Sequence, residues 1–145
     1  MGLADSITSQ DSLALDTNIF IYAYNQSRNY GVAARKLLER LQKVKPHVFI
    51  STIVFEEFLV QIYKKKLEDN LAGYEDFITG SGIFTVVDVT REIARTAAKI
   101  RAQFNLKAPD AIHLASAIES GAKKFITVDR RIPKKINGLT IKTLE

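Results

Sequence analysis

Short apolar segments typical of β-strands alternate along this chain with longer segments whose apolar residues recur at helical spacing. The helical spacing is clearest over residues 32–44 and 91–104. The strand-like segments are "LALD" (13–16), "HVFIS" (47–51), "IFTVVDV" (83–89) and "KFITVD" (124–129), with "LTIKTL" (139–144) as a candidate fifth strand at an edge. Such alternation favours a parallel sheet covered by helices on both faces. We therefore predict a three-layer α/β/α fold with a four- to five-stranded parallel sheet flanked by helices.

The length of 145 residues suits one domain. Residues 1–11 are small and polar, which predicts a flexible N-terminal tail, and residues 12–145 then form a single domain. No apolar run is long enough to cross a membrane, and the first residues lack the basic and apolar regions of a signal peptide. The chain has no cysteine, which excludes disulfides, thiol nucleophiles and cysteine-based zinc sites. These features predict a cytoplasmic protein.

The chain is basic, with a formal net charge of +5. This balance favours a polyanionic partner such as nucleic acid, although a solvated basic surface is the simpler explanation. The basic residues fall into one helical stripe and two runs, which are Arg91, Arg95 and Lys99; Lys64, Lys65 and Lys66; and Arg130, Arg131, Lys134 and Lys135.

Several acidic residues stand where strands end. Parallel sheets place their sites at the carboxyl ends of the strands. Asp16 and Asp129 end the first and fourth strands, so both belong to this edge, and Glu56 and Glu57 follow the second strand on a helix. Asp110 lies in the first turn of a helix that precedes the fourth strand, and strand order alone does not give its edge.

Each acid also has a simpler explanation. Asp16 could cap a helix. Asp110 could interact favourably with the positive end of a helix dipole. Asp129 could belong to a turn, and Glu56 and Glu57 could be surface charges. As a group, however, carboxylates at one edge would repel each other unless a cation neutralised them. Hard cations such as Mg²⁺ and Mn²⁺ take oxygen ligands and promote phosphodiester hydrolysis, which suits an acidic site in a basic protein.

Three segments carry a resemblance to a known family: "LDTNIFIYA", "ISTIVFEEFL" and "APDAIHLASAIESGAKKFITVDRR". In the order and context of their acids they resemble the PIN-domain ribonucleases, in particular the VapC-type toxins of toxin–antitoxin pairs. The resemblance covers about 13–144. It implies a PIN-like fold, hydrolytic cleavage of RNA with Mg²⁺ or Mn²⁺, an antitoxin protein as partner, and a homodimer.

The resemblance also implies a set of site residues. The acids that would hold the metal and carry catalysis are Asp16, Glu57, Asp110 and Asp129. Glu56 is the less favoured neighbour of Glu57. Supporting polar residues are Thr17, Asn18 and Thr127. Under the same resemblance, the basic residues become candidates for contacts with RNA or with an acidic antitoxin tail.

Two further features bear on function. His113 follows Asp110 by three residues and could approach the site, but its spacing is more typical of a packed or solvent-facing side chain. The alternative function is a non-catalytic RNA- or protein-binding module that keeps the PIN fold. A structure-specific DNA nuclease of the flap type is a third hypothesis, but 145 residues leave little room for its DNA-binding additions.

Overall fold

A six-stranded, mostly parallel sheet forms the centre of the molecule. The computed structural model describes residues 2–25 and 28–145. Its strands are β1 (Ser12–Leu15), β2 (His47–Ser51), β3 (Phe84–Val87), β4 (Lys124–Thr127), β5 (Lys135–Ile136) and β6 (Leu139–Thr143). The strand order is β3-β2-β1-β4-β6-β5, and only the pair of β5 and β6 is antiparallel. The predicted sheet is thus confirmed, with one strand more than expected.

Seven α-helices lie in the described part of the chain, one before β1 and six between the strands. They are α1 (Leu3–Ser6), α2 (Thr17–Asn25), α3 (Gly31–Val44), α4 (Thr52–Lys64), α5 (Leu71–Thr79), α6 (Arg91–Phe104) and α7 (Ala108–Glu119). Two of them begin at hydroxyl caps, since Ser51 accepts the Val54 N–H and Thr90 accepts the Ile93 N–H. None of the helices in residues 2–25 and 28–145 combines the length and apolar character that a membrane span requires.

Two hydrophobic clusters lie on opposite faces of the sheet. Strand β1 supplies both of them, because successive side chains of a strand point to opposite faces. Leu13 and Leu15 join the cluster under α2–α5, and Ala14 joins the cluster under α6 and α7. The predicted three-layer α/β/α arrangement is therefore confirmed.

The far edge of the sheet differs from the prediction. "LTIKTL" forms β6, but β6 pairs in parallel with β4 and is not the edge strand. The edge is β5, which turns into β6 through Asn137 and Gly138, both with positive φ (49° and 83°). An Asn–Gly pair suits such a tight hairpin turn. Because β5 has only two residues, it shows no periodicity that sequence inspection could detect.

The N-terminal segment also differs from the predicted flexible tail. Residues 3–6 form α1, and Ile7 is only 1% exposed within the larger cluster. The Arg40 guanidinium donates two hydrogen bonds to the Ile7 carbonyl (2.8 and 3.1 Å). Burial of this apolar side chain outweighs the polar composition around it. Met1 lies outside the described residues.

Candidate active site

The switch point of the sheet determines where a site can form. Strands β2 and β3 extend to one side of β1, and β4, β6 and β5 extend to the other. The carboxyl ends of β1 and β4 therefore mark the switch point, where open parallel sheets usually bind their ligands. Asp16 follows β1 directly, and its N–H donates to the Ile126 carbonyl of β4 at 2.9 Å. Asp16 and Asp129 thus belong to the same edge, as predicted.

Asp16 is the most buried acid of this edge, with 5% of its surface exposed. One carboxylate oxygen accepts hydrogen bonds from the Thr127 hydroxyl (2.7 Å) and the Asn18 amide (3.2 Å), and the other accepts the Thr17 N–H (2.7 Å). Burial raises the pKa of Asp16, and the Asp110 charge adds to this rise, while the bond from Thr127 opposes it. A helix N-cap bonds to the second or third N–H of the helix, and Asp16 instead receives the first.

The supporting residues join the ends of β1 and β4. Asn18 donates to the Thr127 hydroxyl (3.3 Å) and accepts the Val128 N–H (3.3 Å). The same Thr127 hydroxyl accepts the Asp129 N–H at 3.0 Å. These bonds fix the position of Asp16 relative to the backbone that carries Asp129.

Glu57 reaches the same place from α4. Its Oε1 accepts hydrogen bonds from the Thr17 hydroxyl (2.7 Å) and from His113 Nε2 (2.8 Å). The His113 hydrogen bond is the main cause that lowers the pKa of Glu57, and Thr17 contributes further, although partial burial opposes both. Glu56 is exposed to solvent. Of the two neighbours, therefore, Glu57 is the one that joins the cluster.

Asp110 lies close enough to the other acids to sense their charges. Burial is the main cause that raises the pKa of Asp110, and the negative charges of Asp129 and Glu57 raise it further. The start of α7 thus lies at the same edge as the strand ends, which strand order alone could not determine. The structure brings all four predicted acids into one electrostatic neighbourhood.

Asp129 is engaged by a neighbouring arginine. Its Oδ1 accepts the Arg131 backbone N–H (2.9 Å) and Nε (3.0 Å), and its Oδ2 accepts Nη2 (3.0 Å). The Arg131 side-chain hydrogen bonds are the main cause that lowers the pKa of Asp129. Because the Arg131 side chain is 82% exposed, solvent weakens this ion pair.

His113 is the residue of this site that sequence reasoning undervalued. It is 3% exposed, and its ring lies between Ser51, Glu57 and Thr17, with Nε2 4.0 Å from an Asp16 oxygen. A signal existed in the sequence, because residues three apart on a helix share a face and His113 follows Asp110 at that spacing.

A family model of the PIN domain matches residues 13–137. The chain belongs to the PIN-domain family. No curated protein matches it. Among solved structures, this PIN domain is similar to a chain of a toxin–antitoxin complex from Klebsiella pneumoniae. The two chains are 27% identical, the alignment covers 91% of this chain and 97% of that chain, and the TM-score is 0.69.

Two more distant structures show that the PIN fold itself is shared. A chain of VapBC2 from Rickettsia felis, bound to a DNA fragment from its promoter, is 23% identical, with 92% and 98% of the two chains covered and a TM-score of 0.71. The sarcin–ricin-loop-cleaving toxin VapC20 of Mycobacterium tuberculosis is 19% identical, with 79% and 87% covered and a TM-score of 0.62.

The donor set of this PIN domain suits a hard cation, but the side chains do not form a closed cage. Carboxylate oxygens are the ligands that Mg²⁺ and Mn²⁺ prefer. A cation would also relieve the repulsion that contributes to the raised pKa values of Asp16 and Asp110. Within residues 2–25 and 28–145, however, no three His, Asp or Glu side chains are arranged to hold a metal ion. Glu57 and Asp129 are instead engaged by His113 and Arg131.

Two basic residues act on an acid of the site, and others are exposed to solvent. Arg131 is bonded to Asp129, and the positive charge of Lys107 also lowers the pKa of that acid. The stripe of Arg91, Arg95 and Lys99 on α6 is exposed, as are Lys64–Lys66 at the end of α4. Lys65 bonds to Asn25 and lies 4.9 Å from the Tyr24 ring centroid. That these basic residues contact RNA or a protein partner stays a prediction.

Proposed function

We propose that this PIN domain is a metal-dependent endoribonuclease and the toxin of a toxin–antitoxin pair. The observation that carries the proposal is the meeting of Asp16, Glu57, Asp110 and Asp129 at the carboxyl edge of the sheet in a protein of net charge +5. Acidic side chains at the switch point suit a metal site, and the positive net charge of the chain suits a polyanionic substrate.

The four acids would hold Mg²⁺ or Mn²⁺. An ion held there would supply a more acidic bound water and a positive charge against a phosphodiester. The chain's own residues prepare the position. Thr127 and Asn18 hold one oxygen of Asp16, and the Thr17 N–H holds the other. Thr17 also donates to Glu57, so α2 positions acids that come from β1 and from α4.

RNA is the substrate class that we propose. The basic composition favours a nucleic acid. The similarity to a chain of a Klebsiella toxin–antitoxin complex and to the sarcin–ricin-loop-cleaving toxin VapC20 supports cleavage of RNA and an antitoxin partner. We also propose that the protein is a cytoplasmic homodimer, and light scattering of the purified protein tests the dimer.

Asp16→Asn tests the proposed activity. We expect the variant to lose RNA cleavage in Mn²⁺ by at least about a hundred-fold, because even residues around a metal site change activity by about 10- to 100-fold when mutated. Glu56→Gln is the matched control, since it removes the exposed neighbour of Glu57 and should leave cleavage unchanged. An Asp16→Asn protein that cleaves RNA as fast as the parent would contradict the site assignment.

The alternative is a PIN module that binds RNA or protein without catalysis. One observation favours it, namely that Glu57 and Asp129 are already engaged by partners within the chain. A parent protein that binds RNA but leaves it intact in Mg²⁺ and in Mn²⁺ would support this module. Comparison of RNA with branched DNA as substrates separates the ribonuclease from a flap-type nuclease.

A further inference from the structure

The two ring nitrogens of His113 have different partners. Nδ1 lies 3.0 Å from Ser51 Oγ, and Nε2 lies 2.8 Å from Glu57 Oε1. A carboxylate only accepts hydrogen bonds, so the ring hydrogen that faces Glu57 belongs to Nε2. In the neutral ring, Nδ1 then carries no hydrogen and accepts the Ser51 hydroxyl. Ser51 Oγ in turn accepts the Val54 N–H at 3.3 Å, so the hydroxyl is fixed from both sides.

This arrangement acts on one oxygen of Glu57 and leaves the other free. The Thr17 hydroxyl and His113 both approach Oε1, at 2.7 and 2.8 Å. No residue in the described part of the chain donates to Oε2. A glutamate side chain has several rotatable bonds, and fixing them costs conformational entropy. The two donors hold the side chain in place before any ligand arrives.

The histidine also links two elements that carry acids. It lies on α7, three residues after Asp110, and its partner Glu57 lies on α4. The ring is 3% exposed, so solvent competes little with its hydrogen bonds. The imidazole therefore holds Glu57 of α4 against the helix that carries Asp110.

We propose that His113 is a positioning residue that holds Glu57 Oε1, with its own ring orientation fixed by Ser51, so that Oε2 is presented to the metal. This inference rests on the proposed function for its purpose. Residues that orient metal ligands by hydrogen bonds commonly change metal affinity by about 10- to 100-fold when mutated.

Nuclear magnetic resonance of the ring nitrogens tests the hydrogen-bond chain directly in the metal-free protein. The chain has two histidines, and His47 is exposed, so it serves as an internal control. We expect the His113 ring to carry its hydrogen on Nε2 and to exchange it slowly with solvent. Glu57→Gln should shift the His113 ring signals and leave those of His47 in place. An unchanged His113 spectrum would overturn the proposal.

Calorimetric titration with Mn²⁺ tests the consequence for the metal. His113→Leu removes both ring nitrogens, and we expect the Kd for Mn²⁺ to rise by about ten-fold or more. His113→Gln retains a donor amide near the Nε2 position and should keep the Kd within about three-fold of the parent. His47→Gln should have no effect. Thermal unfolding shows whether each variant is folded.

The outcomes separate this inference from the proposed function. A folded His113→Leu protein that binds Mn²⁺ like the parent overturns the positioning role alone. A parent that binds Mn²⁺ but does not cleave RNA overturns the ribonuclease function alone. A parent that binds no Mn²⁺ overturns both. If His113→Leu does not fold, the His113 ring spectra of the parent and of Glu57→Gln decide.

Discussion

At the scale of single residues, side chains of the same chemistry meet different surroundings along one edge of the sheet. Asp16 and Asp110 are placed where burial raises their pKa values, whereas Asp129 is placed beside Arg131, which lowers its pKa. Such a spread of acid strength among neighbouring acids is typical of functional sites. An acid with a raised pKa destabilises the folded state at neutral pH, whereas an acid with a lowered pKa stabilises it.

Asp110→Asn should stabilise the metal-free protein at pH 7. The folded-state pKa of Asp110 lies above the ordinary aspartate value of 3.8, so its ionised form opposes folding at neutral pH. Removal of this charge should add about 1 kcal/mol, or about 3 °C in Tm. The gain should vanish as the pH falls below about 3.8, where both the folded and the unfolded chain are protonated. Thermal unfolding in a chelator measures the effect.

Glu92→Gln is the matched control for Asp110→Asn. Glu92 also lies in the first turn of a helix, α6, but is exposed. Removal of the Glu92 charge should lower the free energy of unfolding by about a few tenths of a kcal/mol, because an acid at a helix start interacts favourably with the helix dipole. If Asp110→Asn lowers Tm as Glu92→Gln does, the macrodipole dominates at Asp110 and the acids do not repel each other as described.

At the scale of elements, the segment before β1 is attached to the sheet by its polar residues as well as by Ile7. Asp11 accepts the Thr8 N–H (2.8 Å) and the ammonium of Lys124 on β4 (2.7 Å). The Asp11 carbonyl accepts the His47 N–H of β2 at 3.1 Å. One residue thus connects the N-terminal segment to the two strands that flank β1.

Asp11→Asn should destabilise the protein in a pH-dependent way. The Lys124 hydrogen bond is the main cause that lowers the pKa of Asp11 below the ordinary aspartate value of 3.8. The ionised form therefore favours folding above pH 3.8, and its contribution is lost as the pH falls through the lower, folded-state pKa. We expect a loss of about 1 kcal/mol at pH 7, measured by urea unfolding.

The same urea series at lower pH provides the check on this ion pair. The difference between the parent and Asp11→Asn should shrink as the pH drops below 3.8. Asp88→Asn is the control, since Asp88 is exposed and should show a small effect at every pH. A constant difference between the parent and Asp11→Asn down to pH 2 would mean that the charge on Asp11 does not matter.

At the scale of the whole molecule, the site is formed by elements that are distant in sequence. The hydrogen bond between Thr17 and Glu57 spans 40 residues, and that between Thr127 and Asp16 spans 111. Because the site exists only in the folded chain, a ligand of the site must stabilise the fold.

Mn²⁺ should therefore raise the stability of the parent protein. At a free concentration of about 100 times its Kd, one bound ion adds about 2.7 kcal/mol to the free energy of unfolding. Differential scanning calorimetry with and without Mn²⁺ measures this shift. We expect Glu56→Gln to keep the shift and Asp16→Asn to lose it. An equal shift in Asp16→Asn would place the ion elsewhere, and no shift in the parent would favour the non-catalytic module.

The sequence by itself determined the layers of this protein and the edge of its site. Alternation of strands with helical segments favours a parallel sheet. Asp16 and Asp129 directly follow strands, so the local pattern alone places both at the carboxyl edge of that sheet. The choice of Glu57 over Glu56 and the inclusion of Asp110 came from the family resemblance. The structure places Glu57 in the cluster and Glu56 in solvent.

Only the tertiary structure decided the features that depend on how separate elements pack. The position of Asp110 follows from the docking of α7, and the burial of His113 follows from the contact between α7 and α4. The same holds for Ile7 in the core and for the two-residue strand β5. Sequence periodicity describes which face of an element is apolar. It carries no information on which distant side chain completes a hydrogen bond across that face, because packing geometry determines that partner.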